Sequence, residues 1–166
     1  ECYASQINQV FMNLISNAID ALEDTATHRQ SQATSTPRQR PRITIRTMQV
    51  PDPQGGNPRA VICIADNGPG IPSEIHDKLY DPFFTTKPAG KGTGLGLSIS
   101  YDIVVNRHGG EIQCYCPIEG GTEFWIELPV QQNPQASRPA MTIQAVQAEL
   151  AQANAAFMSA RSYTAK

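Results

Sequence analysis

Between residues 91 and 99 the chain reads Lys91-Gly92-Thr93-Gly94-Leu95-Gly96-Leu97-Ser98-Ile99, three glycines two apart that run straight into an apolar stretch. Such a segment confines the chain to a loop that wraps a ligand or turns tightly before a helix. Glycine lets the backbone take left-handed angles and approach a ligand closely, while a helix starting at its end offers free N–H groups and the positive end of its dipole to an anion. The spacing predicts either a phosphate-cradling loop at a helix start or a plain glycine-rich turn, and other parts of the chain decide between them.

The 166 residues are 40% hydrophobic and 17% charged, enough to bury one substantial core, so one domain with an appendage is expected. A net charge of −2 and a pI near 5.9 provide no basic face, which argues against nucleic acid as a partner. No stretch reaches the length of a membrane span, and the first residues lack a basic region followed by an apolar run. The expectation is a soluble, cytoplasmic domain that makes no membrane contact of its own. Cys2, Cys63, Cys114 and Cys116 show no paired C-x-x-C spacing and read as buried thiols rather than a metal site.

Ser5 is placed to cap a helix carrying Val10, Phe11, Leu14, Ile15, Ala18, Ile19 and Leu22 at helical spacing. Residues 24–41 are rich in Thr, Ser, Gln, Arg and Pro and predict a mobile insertion. Two strand-like runs, 42–50 and 59–65, flank a Pro- and Gly-rich connection suited to a hairpin. The glycine loop leads into a helix over 97–107 that stops at His108-Gly109-Gly110. Strands over 111–117 and 122–130 follow. The order helix, hairpin, helix, hairpin predicts an α+β two-layer sandwich.

Chemistry gathers at three further places. Asn13, Asn17 and Asp20 fall at i, i+4 and i+7 on the first helix, a polar stripe beside the apolar one. An amide oxygen is a hard, neutral donor suited to Mg2+ that keeps phosphate and water as its other ligands; the alternative is a solvated helix face. Asp66-Asn67-Gly68-Pro69-Gly70-Ile71 follows a strand, where a carboxylate can accept the exocyclic amine of adenine, or where the residues simply turn the chain. Asp81-Pro82-Phe83-Phe84-Thr85-Thr86-Lys87 leads to the glycine loop; at least one phenylalanine is assigned to the core, and Lys87 and Lys91 suit phosphate as point charges unless they are merely exposed.

Together these segments are specific. Residues 13–20 resemble the N box, Asp66-x-Gly68-x-Gly70 the G1 box, Asp81-Pro82-Phe83-Phe84 the F box and Gly92-Thr93-Gly94-Leu95-Gly96-Leu97 the G2 box of sensor histidine kinases, in the right order. The resemblance spans about residues 6–129 and implies the Bergerat fold of ATP-binding domains shared with DNA gyrase, Hsp90 and MutL, a mainly antiparallel mixed sheet with helices on one face. It implies ATP and Mg2+ as ligands, Asn17 as the metal ligand, Asp66 as the adenine anchor with Thr122 assisting through water, and a lid over about residues 85–96. The nucleotide site it implies comprises Asn13, Asn17, Asp20, Asp66, Gly68, Gly70, Ile71, Phe83, Thr86, Lys87, Lys91, Gly92, Thr93, Gly94, Leu95, Gly96, Leu97 and Thr122, with Asn13, Asn17 and Lys87 serving the chemistry.

The ATP-hydrolysing branches carry a glutamate one turn before the metal asparagine, where this chain has Asn13. An amide cannot take a proton from water, which points to a kinase whose nucleophile is a neutral imidazole. The family's acceptor histidine precedes Glu or Asp and then Pro on a separate domain; His28, His76 and His108 lack that context. The chain is thus expected to be an excised catalytic half, partnered by the histidine-bearing dimerisation domain of the same full-length protein and acting on a response regulator. A nucleotide-sensing module without phosphotransfer is the alternative. The catalytic domain is assigned to residues 1–130. Residues 131–139 read as a linker, and Ile143, Val146, Leu150, Ala153 and Phe157 form a short helical seam in a tail spanning 131–166.

Overall fold

Periodic apolar residues at Ile7, Val10, Leu14 and Ala18 leave one side of the first helix at 7%, 0%, 1% and 5% exposure, and this stripe sets the two layers. In the computed structural model the described residues are 2–30, 40–51, 56–88, 90–118 and 120–131. Helix α1 spans Ala4–Gln30, strand β1 Ile43–Val50 and strand β2 Arg59–Asp66. A 3-10 turn follows over Ser73–Lys78. Helix α2 covers Gly96–Tyr101 and continues as a π-helix through Asp102–Arg107, before strands β3, Glu111–Tyr115, and β4, Thr122–Pro129.

The strands form one sheet in the order β1-β2-β4-β3, with each neighbouring pair antiparallel. Among the described residues the sheet is therefore wholly antiparallel rather than mixed. Side chains alternate across it. One cross-strand row, Ile45, Ile64, Phe124 and Cys114, lies on the helix side, where Ile64 and Phe124 join Val10, Leu14, Ile103, Val104, Ile112 and Ile126 in the core. The next row, Arg46, Cys63, Trp125 and Gln113, faces the other way. There Arg46 lies 5.4 Å over the Trp125 ring and donates to Glu123 at 2.9 Å.

Several boundaries depart from expectation. The helix opens one residue before Ser5: the Tyr3 carbonyl accepts from the amides of Gln6 at 2.9 Å and Ile7 at 3.1 Å, so Tyr3 occupies the cap. Residues 24–30, assigned to the insertion, extend α1; 31–39 of that insertion lie outside the described residues, as does the tail from 132 onward. The second helix is not uniform. In its wider turns residues five apart meet, so Arg107 Nε pairs with Asp102 Oδ2 at 2.8 Å, and these donors, Asn106 before Arg107, hold the exposed Asp102 carboxyl below its usual range. The helix ends at His108, whose buried ring bonds the Ile103 carbonyl through Nδ1 at 2.7 Å and accepts the Tyr3 N–H at Nε2, 3.1 Å away. Gly110 must then be bare, since a Cβ would stand 2.3 Å from the Glu127 carbonyl oxygen.

Candidate functional site

A cleft of about 490 Å³ opens between α1, the ends of β2 and β4, and the segment leading into α2. Its wall on α1 carries Asn13, Asn17 and Asp20, with Ser16 and Asp24 on the same side. These fall together because they lie three or four residues apart on one helix. Its floor is Asp66, Gly70, Ile71, Thr122 and Phe124, and its outer wall includes Thr86, Lys87, Lys91, Gly92, Thr93 and Gly94. Gly96 and Leu97, from the first turn of α2, complete it.

Register places the carboxylate on the floor. Asp66 closes β2 opposite Thr122, which opens β4. Burial raises the Asp66 pKa above its ordinary 3.8, while the Gly68 amide and the Thr122 amide and hydroxyl, hydrogen-bonded to it, pull the other way. Gly68 sits behind the carboxylate rather than in the cleft wall: its N–H donates to Asp66 Oδ1 at 2.8 Å, and a Cβ there would stand 2.8 Å from that same oxygen. Gly70, at φ +79, brings the chain over the Gly121 carbonyl, leaving only 3.1 Å for any Cβ.

At the other end of the cleft the oxygens of α1 already hold a cation. Lys87 Nζ lies 2.5 Å from Asp20 Oδ2 and donates to Asn17 Oδ1 at 3.1 Å. Hard oxygens that hold an ammonium also suit Mg2+, which is commonly bound by one or two protein oxygens plus phosphate and water. Among the described residues no group of three or more His, Cys, Asp or Glu could hold a metal ion. Asn13 is engaged differently. Its Nδ2 donates to the Gly96 carbonyl at 3.0 Å and to Ser100 Oγ at 3.2 Å, joining α1 to the start of α2.

Besides Gly68, two residues assigned to the site stand outside the cleft wall. Phe83 is 74% exposed at φ +67, and that left-handed turn sends its neighbour Phe84 into the cleft instead. Leu95 precedes α2 as its N-cap. Sequence reasoning missed Ser16, Asp24, Ile75, Leu79 and Phe84 in the wall, and gave Thr85 only to the lid. Asp24 carried a signal, four residues past Asp20, but composition had put it in a loop. The glycine loop folds back on its own approach: Gly94, at φ +66, leaves 2.3 Å between any Cβ and the Phe83 carbonyl carbon.

The family profile described as histidine kinase-, DNA gyrase B- and HSP90-like ATPase matches residues 2–132. The chain is 38% identical over 133 residues to the sensor kinase CckA of Brucella abortus (strain 2308), covering 75% of this chain. It is 36% identical over 132 residues to the signal transduction histidine-protein kinase AtoS of Escherichia coli (strain K12), covering 80% of it. The chain spans only 12% of the length of the first and 18% of the second. Among solved structures, the catalytic domain of histidine kinase ThkA in a nucleotide-free form superimposes with a TM-score of 0.56 at 30% identity, over 78% of this chain and 69% of that one. The mycobacterial sensor histidine kinase MprB gives a TM-score of 0.57 at 28% identity, over 76% and 74%.

Proposed function

Because the chain belongs to the histidine kinase-, DNA gyrase B- and HSP90-like ATPase family and is an ATP-binding catalytic domain of the sensor histidine kinase type, we propose that its cleft takes Mg2+-ATP and presents the γ-phosphate to a histidine. That histidine belongs to a dimerisation domain of the same full-length protein, and a response regulator receives the phosphoryl group afterwards. One observation carries this best: a single cleft has a half-buried carboxylate, Asp66, at its floor and cation-holding oxygens, Asn17 and Asp20, on its wall.

In this reading Asp66 accepts the exocyclic amine of adenine, with Thr122 beside it, and Gly70 and Ile71 line the ring's edge. Asn17 ligates Mg2+ with Asp20 close by, and the metal supplies charge neutralisation on the phosphates. Lys87, Lys91 and the backbone amides of 92–96 face the triphosphate, where fixed positive charge favours transfer. Asn13 positions rather than activates. Its two amide hydrogens serve Gly96 and Ser100, and an amide has no basic site for a water proton, so transfer to an imidazole is favoured over hydrolysis. No helix among the described residues is long and apolar enough to cross a membrane, and we place the domain in the cytoplasm, where ATP is supplied.

Titration calorimetry tests the site. Mg2+-ATP should bind the chain, and Asp66→Ala or Asn17→Ala should weaken binding at least tenfold; unchanged affinity in both variants would refute the assignment. With γ-32P-ATP the chain alone should stay unlabelled and should label an added cognate histidine domain with an acid-labile phosphate. ATP binding without any such labelling would favour a nucleotide-sensing module.

A further inference from the structure

The ammonium of Lys87 stands where the proposed function puts a divalent cation. It reaches there from the outer wall of the cleft, not from α1. Its own amide donates to Thr85 Oγ1 at 3.1 Å. Gly92 crosses its stem so closely that a Cβ would lie 3.1 Å from Lys87 Cβ, 3.2 Å from Cδ and 2.7 Å from Thr85 Oγ1. The glycine loop, the Lys87 stem and the Asp20–Asn17 oxygens are thus stacked in one contact chain.

We propose that Lys87 is a tethered cation that fills the divalent-ion position in the nucleotide-free domain, so that metal loading and release of Thr85–Lys87 and Gly92 from α1 are one exchange. This rests on the nucleotide reading of the cleft. Without a cation, Asp20 would face Asn17 with Asp24 also in the wall, an acidic patch open to solvent and stray ions. Lys87 neutralises Asp20 and in doing so ties the outer wall to α1. A divalent ion on the same oxygens is incompatible with the ammonium, because like charges a few ångströms apart repel and each oxygen has a limited number of lone pairs. The displaced ammonium leaves with three free N–H donors, and the loop lying on its stem is no longer pinned. Lys87 would thereby serve two ligation states in turn: it holds the wall closed when the cleft is empty, and it is available to phosphate when the cleft is filled.

The exchange is testable with Mn2+ alone, read by the loss of the free-ion electron paramagnetic resonance signal in the absence of nucleotide. Lys87→Met should tighten Mn2+ binding about threefold, the scale of a partly exposed ion pair removed from competition. Lys78→Met deletes an equal charge at an exposed position outside the cleft lining and should leave Mn2+ affinity unchanged. In the wild-type chain, Mn2+ should also speed amide exchange in the 85–92 peptide. Equal Mn2+ affinity in wild type and Lys87→Met, or the same tightening in Lys78→Met, would overturn the exchange and leave only general electrostatics. Failure of the wild-type chain to bind ATP in Mg2+ would instead remove the nucleotide premise, and that calorimetric result is read separately from the Mn2+ titration.

Discussion

Two adjacent glycines, Gly120 and Gly121, offer a controlled test of how the sheet holds the cleft floor. Both take left-handed backbone, at φ +97 and +93, so alanine at either site incurs a similar conformational cost of about 1–2 kcal/mol. They differ in their surroundings. A Cβ on Gly120 would meet only the Gly68 carbonyl oxygen at 3.7 Å, an ordinary contact, whereas one on Gly121 would lie 2.3 Å from the Asp66 carbonyl oxygen. Ordinary carbon–oxygen contacts begin near 3.3 Å, so strand β2 must shift by about 1 Å. Relief of such overpacking costs about 1–3 kcal/mol more. Gly120→Ala should therefore lose about 1–2 kcal/mol of stability and Gly121→Ala about 2–5 kcal/mol. The chain has one tryptophan, Trp125, 7% exposed on β4, so urea unfolding followed by its fluorescence reads both variants directly. Because the shift is imposed on Asp66 itself, Gly121→Ala should also bind ATP more weakly than Gly120→Ala. Equal losses in the two variants would refute the steric account, and so would a destabilised Gly121→Ala with wild-type ATP affinity.

Asp66→Asn should separate stability from binding: burial lifts the folded pKa above 3.8, so stability supplied by the protonated carboxyl is full below that pH and lost as pH rises through the folded value. At neutral pH the variant, which keeps an oxygen for the Gly68 amide, should unfold at higher urea than wild type and show a flatter profile from pH 4 to 7, while its ATP affinity falls; a loss of stability at pH 7 would contradict this. Phe83→Gly should raise stability by up to about 1 kcal/mol, because it relieves a left-handed non-glycine residue whose ring is 74% exposed. A lowered melting temperature would mean that the ring makes contacts worth more than the strain.

The sheet was legible because its strands announce themselves: β1 and β2 alternate or run apolar between Pro- and Gly-rich breaks that suit a hairpin, whereas their register did not show in the sequence. The wall on α1 was legible for a similar reason, since Asn13, Asn17 and Asp20 keep helical spacing. What escaped was decided by backbone continuity rather than by side-chain type. Residues 24–30 are polar and poor in apolar anchors, yet they extend a helix already nucleated and packed upstream, where each added residue needs only one more hydrogen bond. Asp24 was lost from the cleft wall with them. The choice between Phe83 and Phe84 depended on a single φ angle after Pro82, and no pattern of hydrophobicity encodes it. The π-turns of 102–107 likewise keep the apolar residues Ile103 and Val104 buried, so regular helical periodicity and its widened form look alike in sequence.

The two hydrogen bonds from Asn13 to Gly96 and Ser100 have a mechanical consequence. They rivet the downstream end of the glycine loop to the same helix that carries Asn17 and Asp20, so the loop is a strap with one fixed buckle and, upstream, a second fastening at Lys87. Any swing must take place upstream of Gly96, within the stretch that Gly94 shares with Phe83. An aspartate or glutamate at position 13 has no proton to give the Gly96 carbonyl and would unfasten the buckle. In this chain, the residue that forgoes a general base is also the one that determines where the strap bends.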